Sequence, residues 1–375
     1  MYIITSESVF SGHPDKICDQ ISDGILDEIL KQDKNARVAV ECAIKDNYLF
    51  IFGEVTTIAK VNYSEVASTV LEDIGYNGNF NIIQKISEQS PDIAIGVDEK
   101  DNHKQGAGDQ GMMYGYACNE TKELMPLPIV LAHEISKRVD EIRKEKYNHI
   151  LAPDGKCQVS VIYDEGRPVG IETIVVSSQT KPGVNIDTVR KIIQEEVLLP
   201  MFGDGLDEVK ILINPTGAFV VGGPYADSGL TGRKVIVDTY GGYARHGGGA
   251  FSGKDVSKVD RSASYYARYV AKSIVEAELA EHCEVCISYS IGIAEPVSIY
   301  LNTFGTGVMD DESLLEFVYQ FFDFTPANIR RELELDKVKF RNLACYGHMG
   351  RIDLPVKWEH VDDKAKALKE AYEEA

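Results

Sequence analysis

A chain of 375 residues exceeds what one hydrophobic core usually supports, so two or three domains are expected, and its 44% hydrophobic content is ordinary for a globular protein. A formal net charge of −20 argues against nucleic acid as the main partner, because counterion release needs a broad basic surface; an anionic substrate would need bound cations. The first residues lack a basic segment followed by an apolar run, no apolar stretch approaches membrane-spanning length, and seven scattered cysteines fit reduced thiols, so a cytoplasmic protein without a membrane partner is expected.

In chain order, helix-period apolar residues (Ile17, Ile21, Ile25, Ile29) predict a helix over 14–31. Strands follow over 37–44 and 48–56, joined by a Lys-Asp-Asn turn, and then a helix over 64–74 with Val66, Val70, Leu71 and Ile74. The same order recurs as helix 128–144, strands 157–163 and 169–177, and helix 186–198. It recurs again as helix 261–281, strands 284–293 and 297–304, and helix 313–322. No residue-level repeat accompanies it; only the order of elements returns, at a spacing of roughly 120 residues. The expectation is an α+β fold of three pseudo-symmetric helix/antiparallel-hairpin/helix units, over 1–100, 112–210 and 211–375 in chain order. Leu49, Ile51 and Val55 alternate with Phe50 and Phe52, so that strand is apolar on both faces. Helices would cover one face and a second copy of the chain the other, which predicts sheets packing at a subunit interface. Cys283 and Cys286 form a lone Cys-x-x-Cys whose odd spacing turns them to opposite strand faces, as expected of structural thiols.

The connections between units are long and hold the unusual residues, as functional loops do. Within 227–261, six cations (Arg233, Lys234, Arg245, Lys254, Lys258, Arg261) outnumber four aspartates (Asp227, Asp238, Asp255, Asp260), although the whole chain is strongly acidic. Many glycines in the same window let backbone N–H groups approach a ligand closely, so a small polyanion, most simply a polyphosphate, is expected there. Gly248 to Lys254 has P-loop spacing, but Asp255 replaces the metal-binding Ser/Thr and no strand leads into it. Gly106-Ala-Gly-Asp-Gln-Gly111 fits a dinucleotide fingerprint by letter only, since a polar segment precedes it. In Gly12-His-Pro-Asp-Lys16, proline and aspartate suit a helix start, while His13 and Lys16 suggest an anion site with Asp15 available to Mg²⁺. Glu54 shares a strand face with Phe50 and Phe52, where a carboxylate is costly unless paired; Glu41 carries a weaker version of that signal. Asp260 could cap the helix after it, and Asp109 and Asp227 could be turn residues.

The segments Ser6-Glu-Ser-Val9, Gly12-His-Pro-Asp-Lys16, Gln89-Ser-Pro-Asp-Ile93, Gln105 to Gly111, Gly229-Leu-Thr-Gly-Arg-Lys234, Asp238-Thr-Tyr-Gly-Gly242 and Gly247-Gly-Gly-Ala-Phe-Ser-Gly-Lys-Asp255 resemble the S-adenosylmethionine synthetase (methionine adenosyltransferase) family over nearly the whole chain. The resemblance implies adenosyl transfer from ATP to the sulfur of L-methionine, with cleavage of the tripolyphosphate to pyrophosphate and phosphate. It implies a homodimer or homotetramer with shared active sites, two Mg²⁺ per site and one K⁺. His13 would contact the leaving oxygen, Asp15 and Asp260 would hold Mg²⁺, and Glu41 would hold K⁺. Lys156, beside Asp154, with Arg233, Lys234, Lys254 and Lys258, would grip ATP, its polyphosphate or the methionine carboxylate. Glu54 and Gln89, with Asp227 and Lys258, would bind methionine, and Phe219 and Ala250 would line the adenosine pocket. A mobile loop over about 89–105 would close the site. Two positions depart from the family pattern: Ala218 stands where relatives usually carry arginine, and Ser11 where glutamate is common.

Overall fold

The computed structural model of the chain describes residues 1–89 and 105–374, so the expected mobile loop lies outside the described residues except at its two ends. The chain opens on strand β1 (Tyr2–Val9), enters helix α1 (Pro14–Leu30) and continues through the antiparallel hairpin of β2 (Arg37–Lys45) and β3 (Tyr48–Thr56). Helix α2 (Tyr63–Ile74), β4 (Asn81–Ser87) and β5 (Gly111–Cys118) follow. The second round is α3 (Leu127–Ile142), the long hairpin of β6 (Leu151–Asp164) and β7 (Arg167–Thr180), α4 (Ile186–Ile193) and the short β8 (Lys210–Ile213). After the two-residue β9 (Gly229–Leu230) come α5 (Val259–Glu276), β10 (His282–Tyr289), β11 (Ser298–Asn302) and α6 (Asp311–Val318). Two helices the sequence pattern does not mark, α7 (Pro326–Glu332) and α8 (Asp362–Glu374), occupy the tail.

This is the expected α+β fold, rich in antiparallel sheet, with one feature periodicity could not supply. A two-stranded hairpin alone is marginal. Here each hairpin is widened by strands from elsewhere, giving sheets ordered β1-β6-β7-β8, β11-β10-β5 and β4-β3-β2-β9. Thus β1 belongs to the sheet of the second hairpin, β5 to that of the third, and β9 returns to the first. Boundaries differ from expectation where the backbone turns. Helix α5 starts at Val259 and ends at Glu276, five residues early, because Glu278 adopts a left-handed φ of 60° that a helix cannot continue through. Strand β10 likewise stops at Tyr289, short of a turn through Gly292 at φ 74°. Helices α3 and α4 each widen into a π-type turn, Arg143–Tyr147 and Gln194–Leu198.

One helix covers the inner face of each sheet: α1 lies on β2, α3 on β1 and β6, and α5 on β5 and β10. Apolar residues at helical spacing on α1 (Ile17, Ile21, Ile25) meet Val38, Val40 and Ile51 in a core that continues through α5 and β10. A second core joins Phe10 and Ile135 to Val159, Ile174 and Ile193. The outer faces are left uncovered by this chain, with Phe50, Tyr300 and Met112 at 41%, 47% and 53% exposure. All seven cysteines are buried free thiols. Among the described residues no helix is long and apolar enough to cross a membrane.

Candidate active site

The expected site residues fall into two groups. The first surrounds the start of α1. His13 is the N-cap, its φ of −62° and ψ of 137° taking the chain into the helix, with Pro14 fixing the first turn. Its entry loop is pinned by backbone contacts: Ser11 N–H donates to Asp140 (2.7 Å), and Tyr76 Oη–H donates to the Gly12 carbonyl (2.8 Å). Gly12 admits no side chain, because a Cβ would lie 2.3 Å from Pro153. His13 is 4% exposed, and burial pushes its pKa down to about 3, helped by Lys234 and Lys156 and opposed by Asp15 and Asp227. The ring is therefore neutral. Its Nδ1 accepts the Asp15 N–H (3.2 Å), so the remaining proton sits on Nε2 as a hydrogen-bond donor.

Asp15 accepts from Leu230 N–H (3.0 Å) and from Lys234 Nζ (2.5 Å), with Arg233 Nε 3.7 Å away. Burial is the largest single influence and works to raise its pKa, but the hydrogen bonds from Lys234 and Leu230 and the Lys234 charge together outweigh it, leaving the carboxyl below the usual range. Asp154 accepts the Gly223 N–H (2.8 Å), with burial raising its pKa. Gln179 ties that end of β6 to the loop after β8, accepting from Asp154 N–H and donating to the Val220 carbonyl. Phe219 is half-buried beside the exposed Ala218, its carbonyl accepting from Thr180 N–H (2.7 Å). Asp227 accepts from Ser228 N–H (2.8 Å), the turn role expected of it, and its charge also reaches His13.

The second group gathers where the glycine-rich segment meets the first sheet. Lys254 Nζ donates to Asp260 (2.7 Å) and Lys258 Nζ to Asp255 (2.5 Å). Asp260 does not cap the helix. Lys258 is the N-cap residue of α5 and Asp260 lies in its first turn. Close approach explains the glycines here, since a Cβ on Gly249 would fall 2.2 Å from the Asp260 carboxylate. Lys254 bridges Ala39, which faces Glu54 across the hairpin; Glu41, two residues along β2, faces Phe52. Glu54 and Glu41 are exposed, so the cost expected for a carboxylate beside Phe50 and Phe52 is absent in the single chain, whose outer sheet face is open to water. Gln89 joins this edge, its N–H donating to Thr56 Oγ1 (3.1 Å). Ala250 sits between the groups, 2.5 Å from where a Cβ on Gly232 would lie. No ion pair or side-chain hydrogen bond joins the two groups among the described residues.

Two of the six cations are directed elsewhere. Arg261 is fully buried against Asp23, and Arg245 reaches Glu284 (3.5 Å) and the Tyr300 ring. Lys16 is also structural, buried between Asp19 (2.9 Å) and Asp238, whose pKa burial raises to about 7. No strand precedes Lys254, and the 106–111 glycines run into β5 instead of a helix, so neither nucleotide fingerprint has its fold context. Asp15 and Asp260 are single carboxylates, each paired with a lysine, and no group of three or more metal-ligating side chains occurs among the described residues. Mg²⁺ commonly takes one or two protein carboxylates and completes its shell with water and substrate phosphate, so these donors fit a metal arriving with a polyphosphate.

Models of the N-terminal, central and C-terminal domains of S-adenosylmethionine synthetase match residues 1–94, 104–219 and 221–360. The chain is 51% identical to the S-adenosylmethionine synthase of Trichormus variabilis, over 99% of this chain and 97% of that one. It is 49% identical to those of Gloeothece citriformis and Rippkaea orientalis, over 99% of this chain and 97% and 96% of theirs. The chain belongs to the S-adenosylmethionine synthetase family. Within that family's N-terminal domain, β1 is hydrogen-bonded into the sheet of the central one. Residues that motif reading passes over also hold the segments beside these two groups, above all Asp19 and Asp23, which accept the Gly232 and Gly253 N–H groups. Their only signal is the four-residue spacing Asp15, Asp19, Asp23, Asp27 on α1, which on sequence alone resembles a solvated helix face.

Proposed function

We propose that the protein makes S-adenosylmethionine from ATP and L-methionine and cleaves the tripolyphosphate left behind to pyrophosphate and phosphate. The observation that carries this reading is the neutral, Nε2-protonated His13 at the start of α1, with the charges of Lys234, Lys156 and Asp15 around it. Such a group donates a hydrogen bond to a leaving phosphate oxygen without having to lose a proton. The methionine sulfur attacks C5′ of ATP, the C5′–O bond breaks, and its electron pair leaves on the triphosphate. A thioether has no proton to give up, so no general base is required. Stabilisation of the departing charge dominates, which preorganised cations supply.

His13 bonds the bridging oxygen, while Lys156, Arg233, Lys234, Lys254 and Lys258 take up the spread negative charge. Asp154, Phe219 and Ala250 hold the nucleoside end. Glu54, Gln89, Asp227 and Lys258 hold methionine, its ammonium on the carboxylates and its carboxylate on the lysine. Mg²⁺ at Asp15 and Asp260, two per site, and K⁺ at Glu41 would neutralise phosphate charge when bound. The exposed apolar faces of three sheets favour a homodimer or a dimer of dimers. In that assembly, the two groups of one chain complete sites with a partner's. A cytoplasmic setting fits the seven free thiols.

The test is product analysis of purified protein with ATP, methionine, Mg²⁺ and K⁺. The proposal predicts equal amounts of S-adenosylmethionine, pyrophosphate and phosphate, all lost when methionine is omitted. ATP breakdown without a sulfonium product would contradict it.

A further inference from the structure

Helix α1 presents four aspartates at i, i+4 spacing, which places them on one face, roughly 6 Å apart along the axis. Each accepts backbone N–H groups from a segment far along the chain: Asp15 from Leu230 (3.0 Å), Asp19 from Gly232 (2.8 Å), Asp23 from Gly253 (2.8 Å), and Asp27 from Phe340 and Arg341 (2.8 and 3.0 Å). The third rung differs from the others in having a fully buried arginine across it. Arg261 grips Asp23 through both terminal nitrogens (2.7 and 2.8 Å), and both side chains are 0% exposed. The same guanidinium donates to the Lys254 carbonyl (3.1 Å) and to Tyr265 Oη (3.0 Å), and lies 4.2 Å over the Phe340 ring.

The pair therefore holds the Gly253-Lys254 segment at both ends, Asp23 by its first N–H and Arg261 by its last carbonyl. Val40 N–H donates to the Gly253 carbonyl between them (3.0 Å), and Lys254 N–H donates to Phe251 (3.3 Å). Every backbone polar group of the two residues is occupied. Gly253 itself has a φ of 79°, and a Cβ there would lie 1.9 Å from the Val40 carbonyl, so the segment has no room to relax. A buried ion pair gives little stability beyond a hydrophobic pair of similar size, and its best-attested use is to fix register.

We infer that Asp23 and Arg261 are positioning residues that set the backbone from which Lys254 reaches the polyphosphate. The inference rests on the synthetase reading and extends it to residues that touch no substrate. Asp27 provides the comparison, since it occupies the same helix face and anchors the 340–341 turn, whose Phe340 ring packs under the Arg261 guanidinium, but it bonds neither Gly253 nor Lys254.

The experiment compares Asp23→Asn, Arg261→Lys and Asp27→Asn in the full chain. Steady-state kinetics for ATP and methionine are measured, together with melting curves and titration with inorganic tripolyphosphate. Asp23→Asn leaves Arg261 without its charge partner; Arg261→Lys keeps the charge but loses the fork that spans Asp23 and the Lys254 carbonyl. Each is expected to lower kcat about 100-fold, as a small misplacement of a reacting-site group can, with KM for methionine unchanged and cooperative melting retained. Asp27→Asn is expected to shift the melting curve and leave kcat unchanged. If Asp23→Asn does not fold, Arg261→Lys carries the test alone. Wild-type kcat in either folded rung variant would overturn the inference, as would an equal loss in Asp27→Asn. Should the wild type form no sulfonium product, the synthetase reading fails separately. Weakened tripolyphosphate binding in the rung variants would still support the positioning role, and unchanged binding would still reject it.

Discussion

Lys16, Arg261 and Arg268 have side chains no more than 1% exposed, whereas Lys234, Lys254 and Lys258 keep 14%, 27% and 15%. The buried cations use most of their hydrogen-bonding capacity inside the protein and are closed to solvent. Arg268, for instance, makes a two-pronged pair with Glu359 and donates to the carbonyls of Tyr116, Glu123 and Leu124. The three half-open lysines each have one carboxylate partner, Asp15, Asp260 and Asp255. An ammonium has three donors, so each can still take an oxygen from a ligand. The difference separates charges that fix the frame from charges available to an anion, in a chain where net charge alone would repel one.

The sharpest way to break this comparison is to attack a fixed charge. Glu359→Gln leaves Arg268 and Lys272 buried without a counter-charge and is expected to cost about 3–5 kcal/mol of stability, read by denaturant unfolding. A change near zero would mean those cations are not held as described. Removing an available charge should do the reverse. Lys254→Ala or Lys258→Ala is expected to lower kcat about 10²–10³-fold, the scale seen when one preorganised donor to a developing charge is removed, with little change in melting temperature. Near-normal turnover would remove these lysines from the site.

A smaller effect follows from His133, buried against Ser8, where burial pushes its pKa down to about 3. The unfolded chain takes up a proton there below about pH 6.5 and the native state refuses it until about pH 3, so stability is lost as pH falls through that window. His133→Gln removes this share of the acid loss. The stabilities of variant and wild type should therefore converge between pH 7 and pH 4 in urea titrations, and a constant difference would contradict the assignment.

Legibility in the sequence followed the same divide. The three hairpins and their flanking helices are readable because each carries its own period, as Ile17, Ile21, Ile25 and Ile29 do. Strands β1, β4, β5, β8 and β9 are not, since β1, β5 and β9 complete sheets begun elsewhere in the chain and β8 and β9 are only four and two residues long. At the candidate site, His13, Asp15 and the cationic glycine-rich segment stand out by residue type. Arg245 and Arg261 stand out equally and point elsewhere, because composition cannot tell which cations already have partners. Asp19 and Asp23 gave no warning, because an aspartate every fourth residue becomes buried only once loops from far along the chain have packed onto the helix.

The most direct measurement of this division is the effect of inorganic tripolyphosphate with Mg²⁺ on the melting temperature of the wild type and of Lys234→Ala and Lys254→Ala. Ligand that binds only the native state raises its stability by mass action. A rise in the wild type that is lost or sharply reduced in both variants is the predicted result. An equal rise in all three proteins, or none in the wild type, would contradict the claim that these half-open lysines hold the polyphosphate.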